Sequence, residues 1–379
     1  MMKKIAIYYP CFMGGGAEAV GLWMIQALKD NHEITLFTLG NIQLEQLNSM
    51  YGTSISKENI KLKTILPKFL DVLCYIIMAK SQDINTLFIH LLIRVFKQHS
   101  HEYDLVISAY NATDMGQPGI QYIHWIKVIE GKAFHRKISG FSQEQLVSNI
   151  SITNSYCVAG HIKKHYGISA NVVYPPVVID TPNIPWSEKE NAFICSGRIA
   201  EPKQPHKIIK ILKLVRERGF DIQLHITGGG GSFYEWKYTN LVKKMVQENS
   251  SWITLHQNLP YQEYIEVLAK CKYGIHFKKE PFGISIAEMV KAGAIPFVRS
   301  EGGQVEIVGE NLQELFFDQE EEAVEKIIKV LSSSEKQNKL LQSLTTQRNL
   351  FSTQRFTSEI NDLVTSYFDT QATKLTSKS

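Results

Sequence analysis

The chain has 379 residues, 44% of them hydrophobic and 21% charged, with a formal net charge of +4. That length exceeds one ordinary core and suits two domains, which imply a cleft, and the composition excludes a disordered or fibrous chain. The mild positive excess fits a phosphate-bearing ligand or an anionic surface; without zinc-knuckle spacing, a helix-turn-helix or an arginine-rich run, it gives no nucleic-acid partner.

From the start, the apolar run 5–9 ends at Pro10, too short for a signal or a span, and predicts a buried strand. The cluster Gly14-Gly15-Gly16 then opens a helix over 17–28 that carries Val20, Trp23, Met24 and Ala27 on one side, and 33–39 reads as a second strand. Residues 61–100 hold apolar clusters at 72–78 and 87–93 among Lys61, Lys63, Lys68, Lys80, Arg94 and Lys97. Two readings stay open for them: an apolar surface with a basic rim resting on an anionic membrane, or two helices packed on the first sheet. Further strands fall at 105–108, 119–124 and 150–153, 171–177 closes the first half, and Pro175, Pro176, Pro182 and Pro185 mark a stiff connector.

The alternation of strand and helix then restarts. Strands are predicted at 191–196, 221–227, 253–255, 273–277 and 295–298, and helices at 206–218, 236–247, 261–270 and 285–291, with a last helix over 354–368 and a polar tail. The class is α/β, two Rossmann-like domains facing each other across a deep cleft. The expected domains are 1–178, 179–353, and a segment 354–379 whose helix crosses back to the first. Cys11, Cys74, Cys157, Cys195 and Cys271 are widely spaced and read as buried free thiols in a reducing, cytoplasmic setting.

Several residues carry candidate chemistry. The glycine turn before the first helix can present backbone amides to a phosphate, or serve packing alone; it lacks the dinucleotide spacing and the acidic residue a nicotinamide fold requires. Arg198 and Lys203 follow a strand end, where a fixed fork and a mobile cation can neutralise a diphosphate leaving group. Glu280 lies in a loop and Glu288 in the next helix, flanking Pro281-Phe282-Gly283-Ile284, so the carboxylates can accept hydrogen bonds from sugar and ribose hydroxyls beside free amides. Helix-dipole complementation is the competing role. His124 ends a strand, as a site residue or as a histidine satisfied by the backbone. No His-Glu-x-x-His pattern or compact ligand cluster is present, so no metal and no cofactor is expected.

Taken in order, Tyr9 to Glu18 with Trp23, Tyr122-Ile123-His124, Asn154-Ser155, Tyr174-Pro175-Pro176 and Glu280-x-Phe282-Gly283-Ile284-x-x-x-Glu288-Met289, followed by Ala292-Gly293 and Gly302-Gly303, resemble the retaining family 4 glycosyltransferases of the GT-B fold. Within them the chain is most similar to the lipid-linked-oligosaccharide mannosyltransferases that use GDP-mannose. The resemblance covers most of the chain. It implies that Arg198 and Lys203 bind the donor diphosphate, that Glu288 binds the ribose, and that Glu280 with the backbone of Phe282, Gly283 and Ile284 binds the sugar. Gly15 and Gly16 would face the diphosphate and His124 the reacting sugar. Front-face attack would need no protein nucleophile.

Pro281 stands where those relatives carry histidine, Trp125-Ile126 where they carry Tyr-Pro, and their membrane-spanning start is missing. The main expectation is mannosyl transfer from GDP-mannose to a glycan or lipid-linked glycan, on the cytoplasmic face of a membrane. The alternative is a UDP-sugar enzyme of polysaccharide or lipopolysaccharide synthesis that uses glucose, galactose or N-acetylglucosamine, because proline at that position is common among UDP-sugar users. A nucleotide-sugar epimerase, a phosphorylase and a non-catalytic nucleotide-sugar sensor complete the set.

Overall fold

The computed structural model describes residues 2–12, 15–67, 69, 74, 76, 78, 81–127, 131–182, 184–229 and 236–376. It divides into two compact units, Met1–Pro176 with Ser352–Ser379, and Val177–Phe351.

The first unit is built on strands β1 (Lys3–Tyr8), β2 (His32–Thr38), β3 (Ile60–Thr64), β4 (Leu105–Ser108), β5 (Ile120–Ile123), β6 (Ile150–Thr153) and β7 (Ala170–Val172). They pair in parallel in the order β3-β2-β1-β4-β5-β6-β7. Ile5, Ala6, Ile7 and Tyr8 are all buried, as expected of a central strand covered on both faces. Val20, Met24 and Leu28 of the helix Gly16–Leu28 share a core with Phe356, Ile360 and Val364 of the helix Thr353–Thr376.

Residues 61–64 depart from the expected helix pair. They belong to β3, an edge strand, where Lys61 pairs with Glu33 and Lys63 with Glu102. Lysines blunt an exposed edge against further pairing. The helix Gln82–His99 buries Leu92, Ile93 and Phe96 in the core of this unit, so that stretch follows the packing alternative. Most of the 72–78 cluster, with Lys68 and Lys80, lies outside the described residues, as do Met13, Gly14, Gly230, Gly231 and the last three residues.

The second unit repeats the plan with β8 (Glu190–Ser196), β9 (Gln223–Gly228), β10 (Ile253–Gln257), β11 (Cys271–His276), β12 (Ile295–Arg299) and β13 (Phe316–Phe317), in the order β10-β9-β8-β11-β12-β13. All pairs are parallel. Phe193 and Tyr273 stack across β8 and β11 with ring centroids 4.9 Å apart, and Ile208, Ile211, Leu212 and Val215 bury one face of the helix Pro205–Glu217. In each sheet the strand order reverses at the first strand of the unit. Loops following the strands on either side of that reversal diverge and leave room for a ligand.

Among the described residues no helix is long and apolar enough to cross a membrane.

Candidate functional site

In the second unit the reversal lies between β8 and β11, so the loops that follow these strands share one edge. After β8, Gly197 has φ +135, and its carbonyl passes so close to Gly228 that a Cβ there would stand 2.0 Å from it. The turn delivers Arg198, which is exposed and makes no hydrogen bond or ion pair to the described residues, and then Lys203 in the short turn Glu201–Lys203.

After β11 comes Glu280. Lys203 Nζ lies 2.5 Å from Glu280 Oε1, His276 Nε2 lies 3.0 Å from the same oxygen, and Lys278 Nζ lies 3.3 Å from Oε2. Burial alone would raise the Glu280 carboxyl, but the hydrogen bond from His276 and the charge of Lys203 outweigh it and hold the group at about 2. His276 is only 2% exposed, and burial pushes its imidazole below the usual range despite the neighbouring carboxylate. A neutral ring facing an ionised carboxylate carries its proton on Nε2 and donates it. The charge opposite Glu280 therefore comes from Lys203 and Lys278.

The loop is fastened from behind. The side-chain oxygen of the fully buried Gln304 accepts from the Glu280 amide at 2.9 Å, its amino group donates to the Lys278 carbonyl at 3.2 Å, and the Gly303 amide donates to the Glu280 carbonyl at 2.8 Å. A Cβ on Gly303 would meet the Pro281 carbonyl oxygen at 2.3 Å and Phe282 Cα at 2.6 Å, so only glycine allows this approach. Phe282 anchors the loop by its ring, 3% exposed and edge-on to Phe351 at 5.6 Å.

Gly283, at φ +113, turns the chain into the helix Ile284–Lys291, whose amino end carries partial positive charge. Further along this helix, Glu288 Oε2 accepts from the Tyr264 hydroxyl at 2.6 Å. Burial pushes the Glu288 carboxyl up to about 7, although the tyrosine bond pulls the other way. Ser196, which accepts from Thr227 at 3.0 Å, lies beside the Tyr264 hydroxyl. Ser196 also lines a small cavity with Arg198, Lys203 and His276, which links the surroundings of the two carboxylates.

In the first unit, Gly15 precedes the helix Gly16–Leu28 in extended backbone, and a Cβ added to it would meet nothing within 4 Å. Its amide donates to the Tyr51 hydroxyl at 3.0 Å, and that hydroxyl also contacts Glu18 Oε2 at 3.0 Å. His124 is buried, with Nε2 at 2.9 Å from the Ala109 carbonyl, and burial drives its pKa down to about 4. It is a neutral histidine bonded to the backbone through Nε2.

The structure thus brings together Arg198, Lys203, Glu280 and the 282–284 backbone, with Glu288 on the adjoining helix. Gly15, Gly16 and His124 belong to the other unit. Sequence reasoning missed His276, Lys278, Gln304 and Tyr264. The signal for His276 was its place at the end of a strand four residues before Glu280; Gln304 and Tyr264 gave none, because they reach the loop from distant elements. Among the described residues no group of three or more His, Cys, Asp or Glu is placed to hold a metal.

Residues 179–346 match the family model of the glycosyl transferases group 1. No curated protein sequence matches the chain. Among solved structures, HepE of Anabaena in complex with UDP-glucose is similar with a TM-score of 0.68 at 16% identity, covering 96% of this chain and 100% of that one. WaaG, a glycosyltransferase involved in lipopolysaccharide biosynthesis, is similar with a TM-score of 0.67 at 14% identity, over 95% of this chain and 99% of its own. The sucrose-phosphate synthase of Thermosynechococcus elongatus has a TM-score of 0.68 at 13% identity, over 97% and 100%.

The chain has the GT-B fold of two Rossmann-like units, and the match of residues 179–346 to the glycosyl transferases group 1 supports a glycosyltransferase activity. Two expectations are corrected. The family model that matches is group 1, in place of family 4. The nucleotides held by the similar HepE structures are UDP and UDP-glucose, which overturns GDP-mannose and with it the lipid-linked-oligosaccharide mannosyltransferase. The residue behind the second correction is Pro281, which offers a donor neither the imidazole of the GDP-mannose relatives nor an amide proton.

Proposed function

We propose that the protein transfers a sugar from a UDP-sugar, of the glucose, galactose or N-acetylglucosamine kind, to a hydroxyl of a glycan acceptor with retention of configuration. The observation that carries this reading is the unpaired guanidinium of Arg198 beside the Lys203–Glu280 pair, at the strand reversal of the unit matched by the family model. In the reading, the diphosphate engages Arg198 and draws Lys203 and Lys278 from Glu280, whose Oε2, released by Lys278, accepts a sugar hydroxyl. Glu288 accepts from the ribose, and the amino end of the helix Ile284–Lys291 adds its dipole.

The bond from the anomeric carbon to the diphosphate then breaks while the acceptor oxygen bonds to the same face, and the departing phosphate oxygen takes the acceptor's proton. The cations stabilise the charge that develops on UDP, and no side chain need attack. Gly15, where a side chain would have room within its own unit, fits a loop kept bare for the close approach of a ligand. His124 enters as a buried support for the segment after β4.

The acceptor in this reading is a glycan or lipid-linked glycan of polysaccharide or lipopolysaccharide synthesis, the process named for WaaG. Phe69, 83% exposed a few residues beyond the lysines of β3, supports docking of part of 61–100 on an anionic membrane from the cytoplasmic side.

A ligand that binds the folded chain raises its melting temperature. UDP and at least one UDP-sugar are expected to raise it by several degrees and GDP-mannose to leave it unchanged. A larger shift with GDP-mannose, or none with any uridine nucleotide, sinks the proposal.

A further inference from the structure

Each of the two carboxylates is held by a neutral donor that no expectation included. His276 reaches Glu280 from the end of β11, and Tyr264 reaches Glu288 from the helix Tyr261–Lys270. Both donors are fixed. The His276 ring is 2% exposed in the wall of the cavity beside Lys203, and the Tyr264 hydroxyl lies beside the buried Ser196.

Neutrality matters here. A diphosphate competes with Glu280 for Lys203 and Lys278, because both are cations, but it has little attraction for an uncharged imidazole buried behind the carboxylate. His276 therefore stays on Oε1 when the lysines move, leaving Oε2 turned outward. By the same logic Tyr264 occupies Glu288 Oε2 and leaves Oε1 for a ligand.

We propose that His276 and Tyr264 are positioning residues with separate duties, His276 aiming Glu280 at the transferred sugar and Tyr264 aiming Glu288 at the ribose. The proposal rests on the UDP-sugar reading above. It deepens that reading by assigning sugar and nucleotide recognition to two independent supports.

The test is calorimetric titration of the full chain with UDP and with UDP-glucose. Tyr264→Phe is expected to weaken both ligands by one common factor, roughly three- to tenfold, the worth of one hydrogen bond to a ligand-binding carboxylate. His276→Leu should leave UDP within about twofold and weaken UDP-glucose roughly three- to tenfold. His276→Gln, which keeps an N–H donor, should recover the wild-type value; His276→Met replaces His276→Leu if the latter does not fold.

General damage to the unit would move both ligands together in every variant. The inference is overturned if His276→Leu weakens UDP as much as UDP-glucose, if Tyr264→Phe spares UDP, or if His276→Gln behaves as His276→Leu. Failure of the wild-type chain to bind either ligand is a different result, and it removes the donor reading itself.

Discussion

The two sheets reverse their strand order at equivalent places, between β1 and β4 and between β8 and β11, yet they equip those places differently. In the second unit a buried ionised carboxylate faces two lysines and a neutral histidine, with the unpaired Arg198 beside them. In the first, the Gly15 amide is engaged by Tyr51, and His124 is neutral and tied to Ala109. Topology decides where a site forms; side chains decide what it holds. The second arrangement suits a diphosphate, and the first, with the Glu18 carboxylate beside Tyr51, suits a hydroxyl-bearing group.

The sharpest way to break this contrast is to remove one charge. Lys203→Met is expected to cut turnover of a UDP-sugar about a hundredfold, the usual loss when one preorganised donor to a developing anion is deleted. The unit should still fold, because Glu280 keeps His276 and Lys278. Tyr51→Phe, which removes one hydroxyl beside the glycine turn of the first unit, should cost less than about fivefold. Equal losses, read as UDP released with a glycan acceptor present, would erase the distinction.

Two glycines sharpen it further. Gly303→Ala places a Cβ against the backbone of Pro281 and Phe282, neither of which can swing aside, so the donor loop must shift. Loss of about 1–3 kcal/mol of stability is expected, with UDP-glucose affinity down roughly tenfold. Gly15→Ala meets nothing within 4 Å in extended backbone, and stability should change by less than about 0.5 kcal/mol. A fall in turnover without a fall in melting temperature would then locate the need for that glycine in the ligand.

How much of this was legible beforehand depended on how local each signal is. The central strands are continuous apolar runs, and those at 105–108 and 150–153 were read with their observed ends. Strand β3 escaped because an edge strand with alternate lysines carries little apolar pattern. The helix Ser334–Arg348 escaped for a similar reason, burying only Leu340 and Leu344. Arg198, Lys203, Glu280 and Glu288 were legible as candidates because strand ends and short spacings mark them. Gln304 and Tyr264 were not, since each completes the site across 24 residues of chain. The donor base was misjudged where resemblance outweighed one residue, Pro281.

The smallest effect separates the two carboxylates themselves. Glu280 is held at about 2, below its ordinary 4.5, so its contribution to stability is present above 4.5 and lost as pH falls through 2. Glu288 is raised to about 7, so its contribution is full below 4.5 and is lost as pH rises through 7. The interval from 4.5 to 7 therefore belongs to Glu288, and Glu288→Gln should flatten the fall in stability across it by at most about 3 kcal/mol. Ribose hydroxyls that donate to Glu288 favour its ionised form, so UDP should bind wild type more tightly at pH 8 than at pH 6. Ionisation of the UDP phosphate changes affinity in the same interval but acts equally on wild type and Glu288→Gln. The ratio of their dissociation constants isolates the carboxyl and should change roughly three- to tenfold between pH 6 and 8. A flat ratio would take Glu288 out of nucleotide binding and leave Glu280 as the only carboxylate of the donor site.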